Sequence, residues 1–453
     1  MGCSGESQPK FLSRKTMTPP ITPDLLTDFQ ARGLVHQSTD PQTLRDWLAG
    51  TGRRVYAGFD PTADSLHVGH LVALMLLRRV AQAGHEPVAL VGGATGMIGD
   101  PSGRSEERNL LEPEQLAANI AGVERQIRAI LDGTGQPVHV VNNADWMQGV
   151  GYLEFLRDVG KHVPLVQMLG KDSVQSRLDR KDPESGQRGT GLSYTEFSYM
   201  LLQAWDFVHL SDALDCRVQI GGSEQWGNIT AGIDLGRRLR GRDLYGITCP
   251  LLTKADGTKM GKTAAGAIWL DSRRTSPYRF YQYWINLDDG DAGRCLERLT
   301  QLPLEESLTL HAQRESNPAA RDTQKRLAEE LTGLVHGASG LASARAATAI
   351  FFGAEIDHLD DSLLADIFVD VPSREFSLSL LAGEGLPLID ALEATGLAQT
   401  RSAARRTIQQ GGAYVNNRRI ADTDYRLTAR DLTGATTLVL RTGKKSYALA
   451  GFQ

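Results

Sequence analysis

Cysteine is scarce in this chain of 453 residues: four, at Cys3, Cys216, Cys249 and Cys295, scattered without paired metal-ligand spacing. That argues against a disulfide scaffold and a zinc ribbon. The four read as free thiols in a reducing cytoplasm, and no metal site is expected. Long apolar runs are lacking too. The longest, Leu71 to Leu77, falls far short of the roughly 20 residues that span a bilayer, so no membrane partner is expected. No internal repeat, coiled-coil heptad or low-complexity tract is present, and no Ser-His-Asp or Cys-His pattern demands a protein nucleophile.

What is present suits a soluble globular protein. Hydrophobic content is 41% and charged content 23%, and at ~150 residues per domain the length suggests two to four domains. The 47 glycines suit loops that bring backbone close to a ligand. Net charge is −5, unevenly spread: Leu397 to the end holds ten Lys/Arg and three Asp, so the tail carries +7 and the remainder −12. A compact basic segment on an acidic body reads either as a local RNA contact or as a solvated charged surface. Residues 1–22 are polar, with no hydrophobic stretch for a secretory signal. They read as a disordered arm, or as sequence upstream of a true start at Met17.

Hydrophobic patterning predicts strands at Val55–Phe59, Val88–Val91, Val138–Val141 and Arg217–Ile220. It predicts helices over Val68–Ala83, Leu116–Leu131 and Tyr194–Val208. Strand–helix–strand spacing of this kind implies a parallel α/β sheet, with ligands at the carboxyl ends of its strands. From Ser276 to Gly353 amphipathic helices dominate. Residues 356–375 look like an acidic connector, and the basic tail reads helix, helix, Gly411-Gly412 turn, short strands.

Two short motifs carry chemistry. His67-Val-Gly-His70 places two imidazoles three apart at a helix start, on one face. A helix N-terminus favours anions, neutral imidazole donates to phosphate oxygens, and Gly69 leaves room for an adenine ring. Thr62, in the preceding strand-to-helix turn, can donate to the same phosphates; plain turn chemistry explains it and Asp60 equally well. Lys259 and Lys262 lie three apart in a loop flanked by Gly257 and Gly261. Two ammonium groups can close on a pyrophosphate as its charge develops, the glycines serving as hinges.

Five segments in order, Tyr56 to His70, Val91 to Gly103, Thr195 to Gln203, Gln219 to Asn228 and Lys259 to Thr263, give the chain its close resemblance to bacterial-type tyrosyl-tRNA synthetases of class I. The resemblance runs from about Asp24 to the C-terminus. It implies that Tyr56 and Asp206 hold a substrate phenol hydroxyl, that Asp100, Tyr199 and Gln203 bind the α-ammonium, and that Gln225 lies on the carboxylate side. It implies Gly221, Gly222 and Glu224 at the adenosine ribose, with Asp60, Gly69 and His70 near the nucleotide. Thr62, His67, Lys259 and Lys262 would then stabilise the leaving pyrophosphate, and Arg104 and Arg108 could reach the phosphate tail. Tyr199, Gln203 and Asp206 share one helix face by spacing alone, at i, i+4 and i+7. The plainer reading packs Tyr199 in the core and turns Gln203 and Asp206 to solvent. Two departures stand out: Glu224 where the family often has Asp, and Ala57 where it often has Cys.

The expected architecture is a Rossmann-like parallel-sheet catalytic domain over 23–268, with an insertion at about 105–210. An α-helical tRNA-binding domain follows over 269–355, a linker over 356–376, and a small C-terminal α+β RNA-binding domain over 377–453. In that last domain Arg401, Arg405 and Gln409 form a helix stripe, and Arg406, Arg418 and Arg419 add charge, the last two in a turn. The implied partners are ATP with accompanying Mg2+, L-tyrosine, tRNA(Tyr) and, by family precedent, a second copy of the chain in a cytoplasmic homodimer. Three alternatives share parts of the pattern: a tryptophan-specific relative, another nucleotidyltransferase with H-x-G-H, and a non-catalytic RNA-binding protein.

Overall fold

The computed structural model describes residues 24–102, 111–171, 174–175, 192–263, 266–313, 318–350, 353–356, 359–369, 371–443 and 446–453. Residues 1–22, Arg104, Arg108 and 176–191 lie outside the described residues. The chain forms two compact units, 1–260 with 297–309, and 261–296 with 310–453.

In the first unit, six described strands form one sheet: β1 Gln37–Ser38, β2 Arg54–Phe59, β3 Glu86–Val91, β4 His139–Asn142, β5 Cys216–Gly222 and β6 Tyr245–Cys249. Their order is β1-β6-β5-β2-β3-β4, with β1 alone antiparallel. From β2 the chain steps outward to β3 and β4, then returns past β2 to β5 and β6. The order therefore reverses between β2 and β5, and the crevice at their carboxyl ends is the expected ligand position of an open α/β sheet. The helices follow from apolar periodicity. Leu71–Gln82 buries Leu71, Leu74, Met75 and Leu77; Tyr194–Leu214 is capped by the Ser193 hydroxyl; Trp226–Arg240 packs on it closely. That packing needs Gly232, where a Cβ would lie 2.9 Å from Phe207.

The insertion between β4 and β5 leaves large apolar side chains in solvent. Leu153 is 79% exposed and Val166 81%, with Tyr152, Leu165 and Tyr194 also largely exposed. The Tyr152 and Tyr194 hydroxyls are 3.1 Å apart.

In the second unit, Pro277–Ile285 packs along Asp322–Ile350, a helix broken at Gly337. Past it lies a five-stranded sheet in the order Arg418–Ile420, Ala413–Val415, Thr437–Thr442, Ser446–Phe452, Ser373–Phe376. Two helices, Leu388–Ala394 and Arg401–Gln409, cover it and bury Leu388, Leu392, Ala404 and Ile408 against Leu438, Leu440 and Phe452.

Two expectations need correction here. The stretch 356–376 is not a bare connector. It holds the helix Asp361–Ile367, capped by Asp360, and the strand Ser373–Phe376, which pairs in parallel with the last strand. Acidic composition suggested a solvated link, but one of those aspartates serves as the cap. Arg418 and Arg419 lie in a strand; the turn is Asn416-Asn417, both in the left-handed region (φ 50° and 62°).

Candidate active site

The chain leaves β2 through Asp60, Pro61 and Thr62 and enters a helix at His67. His67 caps a single 3-10 turn, Val68–His70, that runs on into Leu71–Gln82. The two histidines cap it reciprocally. His67 Nδ1 accepts from the Gly69 N–H at 3.0 Å, and His70 Nδ1 accepts from the His67 N–H at 3.1 Å. An Nδ1 that accepts must be unprotonated, so each neutral ring carries its proton on Nε2. The rings lie 4.1 Å apart. Burial, with His67 alongside, pulls the His70 pKa down to about 3, so it is neutral at physiological pH. A Cβ at residue 69 would lie 2.8 Å from the His67 ring. Glycine at this position thus leaves the His67 ring free to make the cap.

Beneath this turn a hydrogen-bonded chain links residues distant in sequence. Asp60 accepts from Thr95 Oγ1 (2.9 Å) and from the Tyr199 hydroxyl (2.8 Å). Asn143 donates to Thr95 Oγ1 (3.0 Å) and to Asp206 Oδ2 (2.9 Å), and the Trp146 indole donates to Asp206 Oδ1 (2.8 Å). Asp206 is only 2% exposed, which overturns the solvent-facing reading of its helix. Its burial pushes the carboxyl pKa up to about 7 against those two donors, and Asp60 adds to the rise.

Tyr56 is 1% exposed, and its ring meets the edge of Phe207 at 5.2 Å. Its hydroxyl is buried and has no protein partner among the described residues. Burial, and then the Asp206 charge, push its pKa well up. Gln219, the register partner of Tyr56 on β5, is likewise buried with its Oε1 unpartnered. A buried polar atom without a partner costs about 1–3 kcal/mol, a cost that a ligand hydroxyl can remove. Two residues along the same strand, Gly58 is exposed although β2 is central, and a Cβ there would meet nothing within 4 Å.

A second cluster joins three segments. Gln225 Nε2 donates to Asp100 Oδ2 (2.6 Å), Gln203 Nε2 to Gln225 Oε1 (3.1 Å), and Asn228 Nδ2 to Gln203 Oε1 (2.9 Å). Tyr199 lies where Asp60, Asp100 and Asp206 all act on it. Burial first, then these charges, hold its phenol far above its ordinary pKa. Such a setting favours a bound cation. Asp100, Gln203 and Gln225 are therefore brought together, while Tyr199 bonds to Asp60.

At the end of β5, Gly221 and Gly222 open onto the short Ser223–Gln225 turn, and the Glu224 carboxylate folds back over Gly222. Lys259 lies on a formed hairpin. Met260 N–H donates to Leu252 O, Thr253 bridges Lys259, and Lys254 N–H donates to Thr258 O. Asp256 accepts from the Thr258 amide and hydroxyl, and Gly257 takes the left-handed position (φ 83°) that closes such a turn. Gly257 is thus a turn element and not the expected hinge. Lys262 belongs to the second unit, where its backbone pairs with Ala267; its side chain lies outside the described portion.

In the second unit, Arg401, Arg405 and Arg406 are exposed on their helix, Arg401 pairing with Asp390 at 2.8 Å. Arg418 lies 3.3 Å from Glu355, and Arg419 donates to the Gly411 carbonyl.

Asn143, Trp146, Thr95, Asn228 and Gln219 were missed by motif reasoning. Asn143 and Trp146 sit in a segment with no motif of its own. Gln219 had a signal, as a polar residue inside an apolar strand.

Known proteins share this architecture. Residues 50–353 match the family described as tRNA synthetases class I (W and Y). Residues 364–450 match the tyrosine--tRNA ligase SYY-like C-terminal domain. The chain is 54% identical to a tyrosine--tRNA ligase of Rhodopirellula baltica over 433 residues, 95% of this chain and 97% of that one. It is 46% identical to that of Geobacillus stearothermophilus, covering 94% and 99%. Among solved structures, a C-terminally truncated mitochondrial tyrosyl-tRNA synthetase of Aspergillus nidulans superposes with a TM-score of 0.64 at 30% identity, covering 71% of this chain and 92% of that one.

Proposed function

We infer the reaction from one premise: the chain belongs to the class I tRNA synthetases, in their tyrosine--tRNA ligase branch. It activates L-tyrosine with ATP and transfers the tyrosyl group to tRNA(Tyr). In the first step a tyrosine carboxylate oxygen bonds to the α-phosphorus and the α–β bridging bond breaks, releasing pyrophosphate. In the second, a hydroxyl of the terminal tRNA ribose attacks the activated carbonyl and AMP leaves.

The observation that carries the choice of substrate is the pair Tyr56 and Asp206, both buried, with the Tyr56 hydroxyl unpartnered among the described residues and Asp206 held by two donors. In our reading the substrate phenol donates to Asp206 and meets the Tyr56 hydroxyl, its ring above Gly58. Asp100, Gln203 and Tyr199 surround the α-ammonium, with Gln225 on the carboxylate side. Gly221, Gly222 and Glu224 take the ribose, and Asp60, Gly69 and His70 lie near the nucleotide. Mg2+ accompanies ATP and neutralises its phosphates. Thr62 and the Nε2–H of His67 donate to the phosphates. Lys259 and Lys262 meet the charge that develops on pyrophosphate, so that catalysis comes from positioning and electrostatics.

The exposed arginines 401, 405, 406, 418 and 419 form the RNA-contacting face, since folded RNA is gripped through shape and phosphates. The bare apolar surface of the insertion, Leu153 and Val166 above all, supports a homodimer joined there. No helix among the described residues is long and apolar enough to cross a membrane, and we place the enzyme in the cytoplasm. Tyrosine-dependent ATP–pyrophosphate exchange, run beside tryptophan and phenylalanine, tests the whole reading. Exchange with tyrosine alone is expected; equal exchange with either control overturns it.

A further inference from the structure

Gly261 sits between the two lysines of the 259–262 motif, at φ 81°. A glycine there is required by the backbone, yet it is also the residue least able to hold a fixed conformation. In the second unit both of its polar groups are held. Its N–H donates to the Tyr283 hydroxyl at 2.8 Å, and its carbonyl accepts from the Ile268 N–H at 2.8 Å. The next two residues, Lys262 and Thr263, pair with Ala267 and Gly266.

Tyr283 lies on Pro277–Ile285, a helix anchored by the fully buried Phe280 and Trp284. Its ring stands edge-on to Trp284, centroids 4.9 Å apart. Burial pushes its pKa up to about 12, so the hydroxyl stays neutral and keeps both donor and acceptor capacity at working pH. A rigid helix thus lends one oxygen to the most flexible point of the lysine motif.

We propose that Tyr283 is a positioning residue for ATP activation: through the Gly261 amide it fixes the backbone from which Lys262 leaves the chain. Lys262 then begins each turnover from one backbone conformation and loses less entropy when its ammonium meets pyrophosphate. The inference rests on the reading of Lys262 as a pyrophosphate-neutralising group.

Tyr283→Phe keeps the ring and its packing and removes only the oxygen. In single-turnover measurements on the full chain, adenylate formation should slow about three- to tenfold, the range of one modest hydrogen bond. The tyrosine Kd should stay unchanged. Amide exchange of the peptide spanning Gly261 should speed several-fold. In a Lys262→Ala background the same substitution should have no further effect on rate, because the group it positions is gone. An unchanged rate, unchanged exchange at Gly261, or an equal slowing in the Lys262→Ala background would each overturn the proposal. If Lys262→Ala itself activates tyrosine at the wild-type rate, the underlying reading of Lys262 falls instead, and Tyr283 with it.

Discussion

The Trp146 indole donates to Asp206 Oδ1 at 2.8 Å while its ring stacks on His209, centroids 4.4 Å apart and 14° from parallel. The donor is thus aimed by a second residue on the same helix as the acceptor. Trp146→Phe removes this bond, worth about 1–1.5 kcal/mol. The tyrosine Kd should rise about five- to tenfold, with the KM for ATP unchanged. Equilibrium dialysis with labelled tyrosine checks this; an unaltered Kd would remove Asp206 from the phenol site.

Asp206 also gives the protein a pH signature. Burial raises its folded pKa to about 7, well above the usual carboxylate range of about 4. The stability it contributes is therefore fully present below pH 4 and is lost as pH rises through 7, on the order of 4 kcal/mol for a shift of this size. Asp206→Asn should gain Tm relative to the parent at pH 8 compared with pH 5. Tyrosine affinity should move the other way, strengthening from pH 6 to pH 8 as the carboxylate becomes available to accept the phenol proton. Parallel melting and dialysis series measure both; flat series would show that the carboxyl is ionised throughout.

The reciprocal caps separate the two nitrogens of His67. Its Nδ1 accepts from the Gly69 amide, so the neutral ring carries its proton on Nε2, the atom that donates to the phosphates in our proposal. His67→Ala should slow adenylate formation about 100-fold, the usual effect of losing one aimed donor, and leave tyrosine binding nearly intact. His67→Gln, whose amide reaches the Nε2 position, should recover more of the rate than His67→Asn. Stopped-flow fluorescence distinguishes them; the reverse order would reassign the donor.

Leu153 and Val166 are too exposed to contribute much to the core, so charges there act on assembly and not on folding. Leu153→Asp combined with Val166→Asp should convert a dimer to monomers in sedimentation velocity, with a Tm shift of only a degree or two at subunit dilution. A monomeric parent would refute the proposed interface.

A truncation is a poor test of the RNA-binding face. Val439 and Tyr447 share a buried cluster with Tyr278, Ala347 and Ile350, and the fifth strand of the C-terminal sheet begins at Ser373. Removing residues 377–453 would expose that cluster and orphan that strand. Arg405→Ala and Arg406→Ala are cleaner. Each should lower tRNA affinity and reduce the slope of log K against log salt by about one, with ATP–pyrophosphate exchange unchanged. Filter binding across a salt series reads the slope; unaltered slopes would place the RNA elsewhere.

The strands and helices around the site were legible because their periodicities are strong, and each predicted strand appears within two residues of its place. The motif histidines were legible for the same reason, since an apolar helix follows them at once. What the sequence did not disclose was mutual support. Asn143 and Trp146 reach Asp206 across more than sixty and exactly sixty positions respectively, a distance at which no local pattern operates. The strand at Ser373 was hidden because it is exposed and charged, its pairing being supplied wholly by the backbone of the last strand.

Gly58 joins the two problems a chain like this must solve. Folding asks a central strand to fill its neighbours' hollows, and here it declines to. A methyl group at that position would touch no protein atom and meet no steric objection from the fold. Backbone entropy would even favour alanine over glycine inside a strand, by roughly 0.5–1 kcal/mol. Packing therefore gives residue 58 no reason to be glycine, and in our reading the demand comes from the substrate ring that enters the crevice.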